Sequence, residues 1–176
     1  MNCNSMTMRT IMTLAALAGA AGMLAQQPVS EATALKNAYE AIKTNLTKAA
    51  DRMPDDQYGF KASPDIRTFG ALIAHIADVQ GGQCAGASGG QRPASIGSKT
   101  AKADLVAGLK ASFDLCDGVF SSLTDEDATK MVVGGRGGPR SKFALLWGLI
   151  VHSNEEYGYL SVYMRLKGIV PPSTQP

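Results

Sequence analysis

Histidine is rare in this chain, which contains only two copies, His75 and His152. Each lies within an apolar run that has the length and spacing of a helix. Glu156 follows His152 by four residues, and side chains four apart on a helix lie one above the other on the same face. An imidazole and a carboxylate at this spacing can bind one ion. Inward-facing imidazoles from two bundle helices are common material for a metal site.

Together, His75, His152 and Glu156 form a set of two histidines and one carboxylate. Such a set suits a catalytic zinc ion with an open fourth position, or a non-haem iron or similar metal. A second interpretation needs no metal. Each histidine is then buried and hydrogen-bonded to a neighbouring hydroxyl or carboxylate, and Glu156, beside Glu155, faces water. The spacing leaves both interpretations open.

The elements that must position these residues are predicted to be four helices. Apolar residues recur at three- and four-residue intervals over 31–53, 69–84, 101–123 and 141–167. Pro54 ends the first helix, Thr68 is the expected N-cap of the second, and Ser141 or a neighbour opens the fourth. Pro171 and Pro172 are expected to end all structure. The fold class predicted is an all-α four-helix bundle with long crossover loops.

Composition and charge set limits on the class of protein. The 176 residues carry 17 Lys+Arg against 15 Asp+Glu, a net charge of +2, and 45% of them are hydrophobic. These values fit one globular domain. A nucleic-acid partner is not expected, because phosphate binding usually shows as a strong basic excess on one face. A small-molecule substrate stays a candidate.

The N-terminal residues 1–25 read as a signal peptide. Arg9 supplies the only charge, and an uncharged run of small and apolar residues extends from Ile11 to Ala25. We expect cleavage after Ala25, with Ala20 or Ala21 as alternatives, and a single domain over 26–176. The run is too short to span a bilayer comfortably, so no stable membrane insertion is expected after cleavage. The predicted location is therefore outside the cytoplasm, either periplasmic or secreted.

Two further features are weaker signals. Export places Cys84 and Cys116 in an oxidising compartment, where they form either a disulfide or two buried free thiols. The run GGRGGPR, from Gly134 to Arg140, offers backbone N–H groups just before a helix start, which can bind an anion. The simpler interpretation of that run is a solvated connection or lid.

Two segments carry a family resemblance. The segment from Pro54 to Val79 (PDDQYGFKASPDIRTFGALIAHIADV) resembles the opening of the DinB-like (DinB/YfiT) family. In that family an aromatic-rich connector, a proline, an Arg-Thr-Phe helix start and a helical histidine follow in this order. The segment from His152 to Pro172 (HSNEEYGYLSVYMRLKGIVPP) resembles the family's closing signature. The resemblance implies a four-helix bundle, often a homodimer, whose divalent metal is held by one histidine of the second helix and two of the fourth.

Carried onto this chain, the first two ligand positions fall on His75 and His152. The third falls on Glu156, where this sequence departs from histidine. A carboxylate is harder than imidazole and lowers the net charge of the site by one, which favours zinc, manganese or iron, with nickel as a further candidate. The same departure is also consistent with a site that has lost its metal.

The resemblance also implies a class of reaction. Members include transferases that move the sulfur of a small thiol onto an electrophile, so one hypothesis is a metal-dependent transferase or hydrolase. The other hypothesis is a non-catalytic, exported metal-binding or structural bundle. The sequence leaves open whether the protein is an enzyme. It also identifies no general base, although Glu155 and Tyr159 lie near the proposed ligands.

Overall fold

A computed structural model describes residues 29–133 and 138–174. The predicted signal peptide, residues 1–25, and Gly134 to Gly137 of the glycine-rich run lie outside these described residues. In chain order the elements are α1 (Glu31–Arg52), a 3-10 turn (Asp55–Gln57), α2 (Phe69–Ser88), α3 (Lys102–Ser122), α4 (Asp125–Thr129), β1 (Met131–Val132), β2 (Arg140–Ser141), α5 (Lys142–Leu166) and a second 3-10 turn (Pro172–Thr174).

The four long helices form the predicted all-α bundle. Helices α3 and α5 each pack against both α1 and α2, so α1 and α2 occupy opposite corners. The connection from α1 to α2 therefore crosses the end of the bundle. This diagonal order places α2 directly beside α5, the two helices that carry His75 and His152.

Side-chain caps fix where the helices begin. The side chain of Thr68 accepts a hydrogen bond from the backbone N–H of Ala71, and that of Ser141 accepts one from Ala144. Both N-caps were predicted, and both are confirmed. Gly168, just after α5, has φ of 72°, which favours glycine and ends the helix close to the predicted position.

Helix α2 is one turn longer than predicted. The sequence suggested an end near Cys84, because Gly81 and Gly82 lower helix propensity, but α2 continues to Ser88 and ends at Gly89 with φ of 69°. Gly81 and Gly82 instead face the connection that follows α2. The ring of Pro93 lies 3.2 Å from the position that a Cβ at Gly81 would occupy. Tertiary contact thus accounts for the glycines.

The connection 124–140 and the C-terminal tail contain more structure than expected. The connection begins with the short helix α4, and β1 then pairs antiparallel with β2, with Met131 opposite Ser141. The tail was expected to have no structure past Pro171, yet Pro172–Thr174 forms a 3-10 turn. There the hydroxyl of Tyr157 donates to the Ser173 hydroxyl at 3.0 Å. These short elements depend on contacts with the bundle rather than on local periodicity.

One hydrophobic core runs through the bundle. A disulfide between Cys84 and Cys116 joins α2 to α3, so of the two interpretations left open the bridge is the one observed. The connector after α1 also joins the core, since Tyr58 is buried and Phe60 contacts Tyr163 edge-on at 5.8 Å. Among the described helices, none combines the length and the apolar character needed to cross a bilayer.

Candidate metal centre

The three side chains singled out from the sequence lie together between α2 and α5. Nε2 of His75 is 3.5 Å from Oε1 of Glu156, and Nε2 of His152 is 3.9 Å from the same oxygen. Each residue offers one ligand atom, and all three atoms lie within 4.8 Å of one another. Donors around a tetrahedral ion with bonds of about 2.0–2.2 Å lie roughly 3.4 Å apart. A small closing movement would therefore suffice to bind a cation.

Burial differs among the three residues. Glu156 is almost fully buried, whereas the side chains of His75 and His152 are about a quarter exposed, at 28% and 24%. The two imidazole rings are perpendicular, with centroids 5.1 Å apart. The carboxylate thus forms the floor of the cluster and the imidazoles form its rim, which leaves one side accessible to a small molecule.

Two buried atoms of the cluster lack partners. Nε2 of His152 and Oε2 of Glu156 are buried and have no hydrogen-bond partner among the described residues. A buried polar atom without a partner costs free energy, so native proteins rarely retain one without a reason. Both atoms belong to donor types that bind zinc or iron. The residues present therefore fit a divalent metal.

Burial raises the pKa of the Glu156 carboxyl. The nearby charges of His152 and Arg67 oppose this shift, and Glu155 adds to it. In the metal-free protein, the ionised form of Glu156 is therefore less favoured than it would be in water. A bound cation would compensate by favouring the ionised form.

The cluster opens into a cleft of about 730 Å³. This volume lies in the range of small-molecule sites. Both histidines line it, together with Arg67 from the connector that precedes α2 and with residues from α2, the connection after α2, β2 and α5: Asp78, Val79, Gly82, Gln83, Arg92, Arg140 and Gly148. Three arginines therefore surround the open side of the candidate metal centre.

Sequence analysis missed two of these arginines and did not use the third. Arg67 and Arg92 lie in irregular connections, where no periodicity marks a shared face, and Arg140 was noted only within the glycine-rich run. Of the two residues considered near the ligands, Tyr159 donates a hydrogen bond to Glu155 at 3.2 Å, and both are exposed. Neither lines the cleft among its described residues.

The sequence pattern of the DinB superfamily matches residues 38–160, about 70% of the chain. The chain belongs to this superfamily. The match contains His75, His152 and Glu156. It confirms the family resemblance that the sequence analysis based on two segments, Pro54 to Val79 and His152 to Pro172. Members of the superfamily in general bind metals, and the cluster in this chain could do so.

Two solved structures share the fold of this DinB superfamily member. The crystal structure of a DinB-like protein from Bacillus cereus aligns with a TM-score of 0.69 at 21% identity, covering 80% of this chain and 95% of the other. A DinB-like protein from Bacillus subtilis aligns with a TM-score of 0.62 at 17% identity, covering 77% and 92%. No curated protein matches the chain. At these identities the likeness shows the fold.

Proposed function

We propose that this protein binds a divalent metal through His75, His152 and Glu156 and uses it to activate a nucleophile. The observation that carries the proposal is the convergence of three donor atoms beside an open cleft, which both histidines line. Two of the three residues, His152 and Glu156, also have a buried atom without a hydrogen-bond partner. Zinc is the first candidate, with nickel, manganese or iron as alternatives.

The donor set is typical of a catalytic ion rather than a structural one. Structural zinc is usually enclosed by four protein ligands, whereas a catalytic ion keeps one position open. Among the described residues three donors converge, and the cleft adjoins them. Such an ion lowers the pKa of a bound thiol or water and so supplies a nucleophile near neutral pH. This supports a transferase or hydrolase over the alternative of a non-catalytic bundle.

The residues of the chain have distinct parts in this proposal. Glu156, buried at the base, contributes the negative charge that makes a divalent cation favourable there. The half-buried imidazoles of His75 and His152 supply neutral donors and leave the cleft side of the site open. A substrate in the cleft would then lie within reach of the activated nucleophile.

We also propose that the protein is exported. The apolar segment within residues 1–25 supports export, and so does the disulfide between Cys84 and Cys116, because disulfides persist mainly in oxidising compartments. A homodimer stays a prediction. It is supported by apolar side chains on the outer face of α5 that are each about half exposed: Trp147, Val151, Tyr159, Val162 and Leu166.

Metal analysis of the purified protein tests the proposed function. We expect about one divalent ion per chain, and loss of that ion in His75→Ala and in His152→Ala. Glu156→Gln should weaken zinc binding by about tenfold or more, since it removes a charged ligand. The matched control is Glu155→Gln, the exposed neighbour, which should leave zinc binding unchanged.

Activity is tested next, with small thiols and activated esters as substrates. Turnover that requires the metal supports catalysis, whereas metal without turnover favours the non-catalytic bundle. Failure to bind zinc, together with a melting temperature that added zinc does not change, would contradict the metal site itself.

A further inference from the structure

The cleft beside the candidate metal centre is rich in positive charge. Among its described residues it has three arginines, Arg67, Arg92 and Arg140, and one acid, Asp78. The whole chain carries a net charge of only +2, so this concentration of arginine is local. A bound divalent cation would make the cleft more positive still. Such a site attracts anions.

Asp78 offsets one of the three positive charges, and its carboxylate also holds the neighbouring connection. The hydroxyl of Ser95 donates to Oδ2 of Asp78, and the backbone N–H of Ile96 donates to Oδ1 at 2.8 Å. The same connection is also fixed by close packing. Pro93 lies against Gly81, and Ile96 lies against Gly108, where a Cβ would be 2.4 Å from Ile96 Cδ1. One wall of the cleft is therefore held in place.

Arg92 lies on this fixed wall. Its guanidinium packs against α2 at Gly82, where the carbon Cζ is 3.1 Å from the position a Cβ would occupy. Nη2 of Arg92 also donates to the backbone carbonyl of Asp78 at 3.4 Å. These contacts use one edge of the guanidinium and leave other N–H groups for a ligand, because arginine has five donors.

Arg67 reaches the cleft from a different direction. Its backbone is anchored, since the hydroxyl of Tyr163 donates to the Arg67 carbonyl at 2.6 Å, and Thr68 begins α2 immediately afterwards. Its exposed side chain has no salt bridge to an acidic group within the part of the chain that the structure describes. Its positive charge thus remains available to a ligand.

We propose that the cleft binds a small anionic substrate whose carboxylate or phosphate groups are held by Arg67 and Arg92, with Arg140 in the same lining. The proposal rests on the proposed function, because it places the rest of the substrate toward His75 and His152. A guanidinium presents paired N–H groups that match the paired oxygens of these anions. The cleft volume of about 730 Å³ suits a small molecule.

Titration calorimetry tests this proposal with succinate and inorganic phosphate as probes. Both are titrated into metal-free protein at constant ionic strength, and succinate is titrated into zinc-loaded protein as well. We expect saturable binding of at least one probe to the metal-free protein. The double variant Arg67→Gln/Arg92→Gln should bind that probe about tenfold or more weakly, because two charge-assisted contacts are lost. The tighter probe identifies the group that the cleft prefers.

Two controls keep the test specific. Arg52→Gln removes an exposed arginine that does not line the cleft and should change affinity by less than about twofold. Arg92→Lys retains the charge but loses the paired donors, and should give an affinity between those of the wild type and Arg92→Gln. Zinc content should be unchanged in all of these variants.

Three results would overturn the proposal. They are the absence of saturable binding for both probes, equal affinity in the double variant, and succinate binding that needs zinc but not the arginines. In the last case the anion would be a ligand of the metal alone. Failure of the proposed metal function is separate, because anion binding to metal-free protein can succeed whether or not zinc binds.

Discussion

Among the residues that the structure describes, two polar clusters of similar size are completed in opposite ways. Between α1 and α3, the hydroxyl of Tyr39 donates to Asp117 at 2.7 Å, and Nζ of Lys43 lies 2.7 Å from each oxygen of the same carboxylate. Every group in this cluster has a partner. Between α2 and α5, by contrast, Nε2 of His152 and Oε2 of Glu156 have none among the described residues.

The comparison indicates that the cluster of Tyr39, Lys43 and Asp117 is structural and that the cluster of His75, His152 and Glu156 is a binding site. Burial and Asp117 raise the pKa of Tyr39, so its hydroxyl stays protonated and keeps donating to the carboxylate. That network is satisfied without any ligand.

In the cluster of His75, His152 and Glu156, the two buried atoms without a hydrogen-bond partner gain one only if something else enters, and both histidines line the cleft of about 730 Å³. Lys43 and Asp117 also line a cavity, of about 400 Å³, but they already pair with each other. Nε2 of Gln80 is also buried without a hydrogen-bond partner, but Gln80 does not line the cleft. The site is therefore marked by unpartnered polar groups that lie beside an open cleft rather than by polarity itself.

The disulfide is expected to have the largest effect on stability. It joins α2, which carries His75, to α3, which carries Asp117. It closes a loop with a sequence separation of 32 residues. In the chain-entropy account, a loop of this size contributes about 3–4 kcal/mol. We predict that Cys84→Ala/Cys116→Ala lowers the free energy of unfolding by about this amount, measured by urea denaturation.

Zinc affinity provides the control for that variant. The proposed ligands lie on α2 and α5 and do not include the cysteines, so zinc affinity under native conditions should change by less than about twofold. Wild-type protein treated with a reductant should resemble the double variant. If oxidised, reduced and variant proteins unfold at the same urea concentration, the bridge does not stabilise the fold.

A pair of isosteric substitutions tests the comparison itself. Tyr39→Phe removes the hydrogen bond to Asp117 and should lower the free energy of unfolding by about 1–2 kcal/mol, with no change in zinc binding. Glu156→Gln should have the opposite pattern, with unchanged stability and weaker zinc binding. In metal-free protein it replaces a buried carboxylate with a neutral amide and should not lower stability, while the stabilisation gained from added zinc should fall.

Thermal melts with and without zinc measure both substitutions in one experiment. The division between the clusters fails if Tyr39→Phe weakens zinc binding as much as Glu156→Gln does. It also fails if Glu156→Gln destabilises the metal-free protein by more than Tyr39→Phe. In that case the Glu156 carboxylate would stabilise the metal-free fold, although one of its oxygens has no hydrogen-bond partner.

Features that depend on local spacing were predictable from the sequence. The apolar period predicted the four long helices, and hydroxyl side chains predicted two N-caps, Thr68 and Ser141. The four-residue spacing of His152 and Glu156 placed them on one helix face. The same spacing left open whether His75 meets them, because no local pattern shows which helices are neighbours, and the family resemblance then favoured the meeting.

Features that depend on tertiary contact were not predictable in the same way. Gly81 and Gly82 suggested an early end to α2, but they serve close packing against Pro93 and Arg92. The pairing of β1 with β2 involves two residues on each side, too few for a period. Arg67 and Arg92 belong to different connections 25 positions apart in the sequence, and only the folded chain brings them to one cleft.

The smallest predicted effect concerns Gly82, which lies against Arg92 in the cleft. A substitution there tests whether the packing of Arg92 on α2 contributes to anion binding. A Cβ at this position would lie 3.1 Å from both Cζ and Nε of Arg92. We predict that Gly82→Ala displaces the flexible guanidinium and weakens succinate binding by about threefold, roughly half of a tenfold loss in free-energy terms. The fold should not suffer, because alanine raises helix propensity by about 1 kcal/mol over glycine.

Gly118→Ala on α3 is the matched control, since nothing lies within 4 Å of its added Cβ and the same propensity gain applies. Both variants should therefore unfold at the same or a higher urea concentration than the wild type, and only Gly82→Ala should bind succinate more weakly. Equal succinate affinity in the two variants would mean that α2 does not position Arg92. Contact with α2 at Gly82 would then not be required for Arg92 to bind the anion.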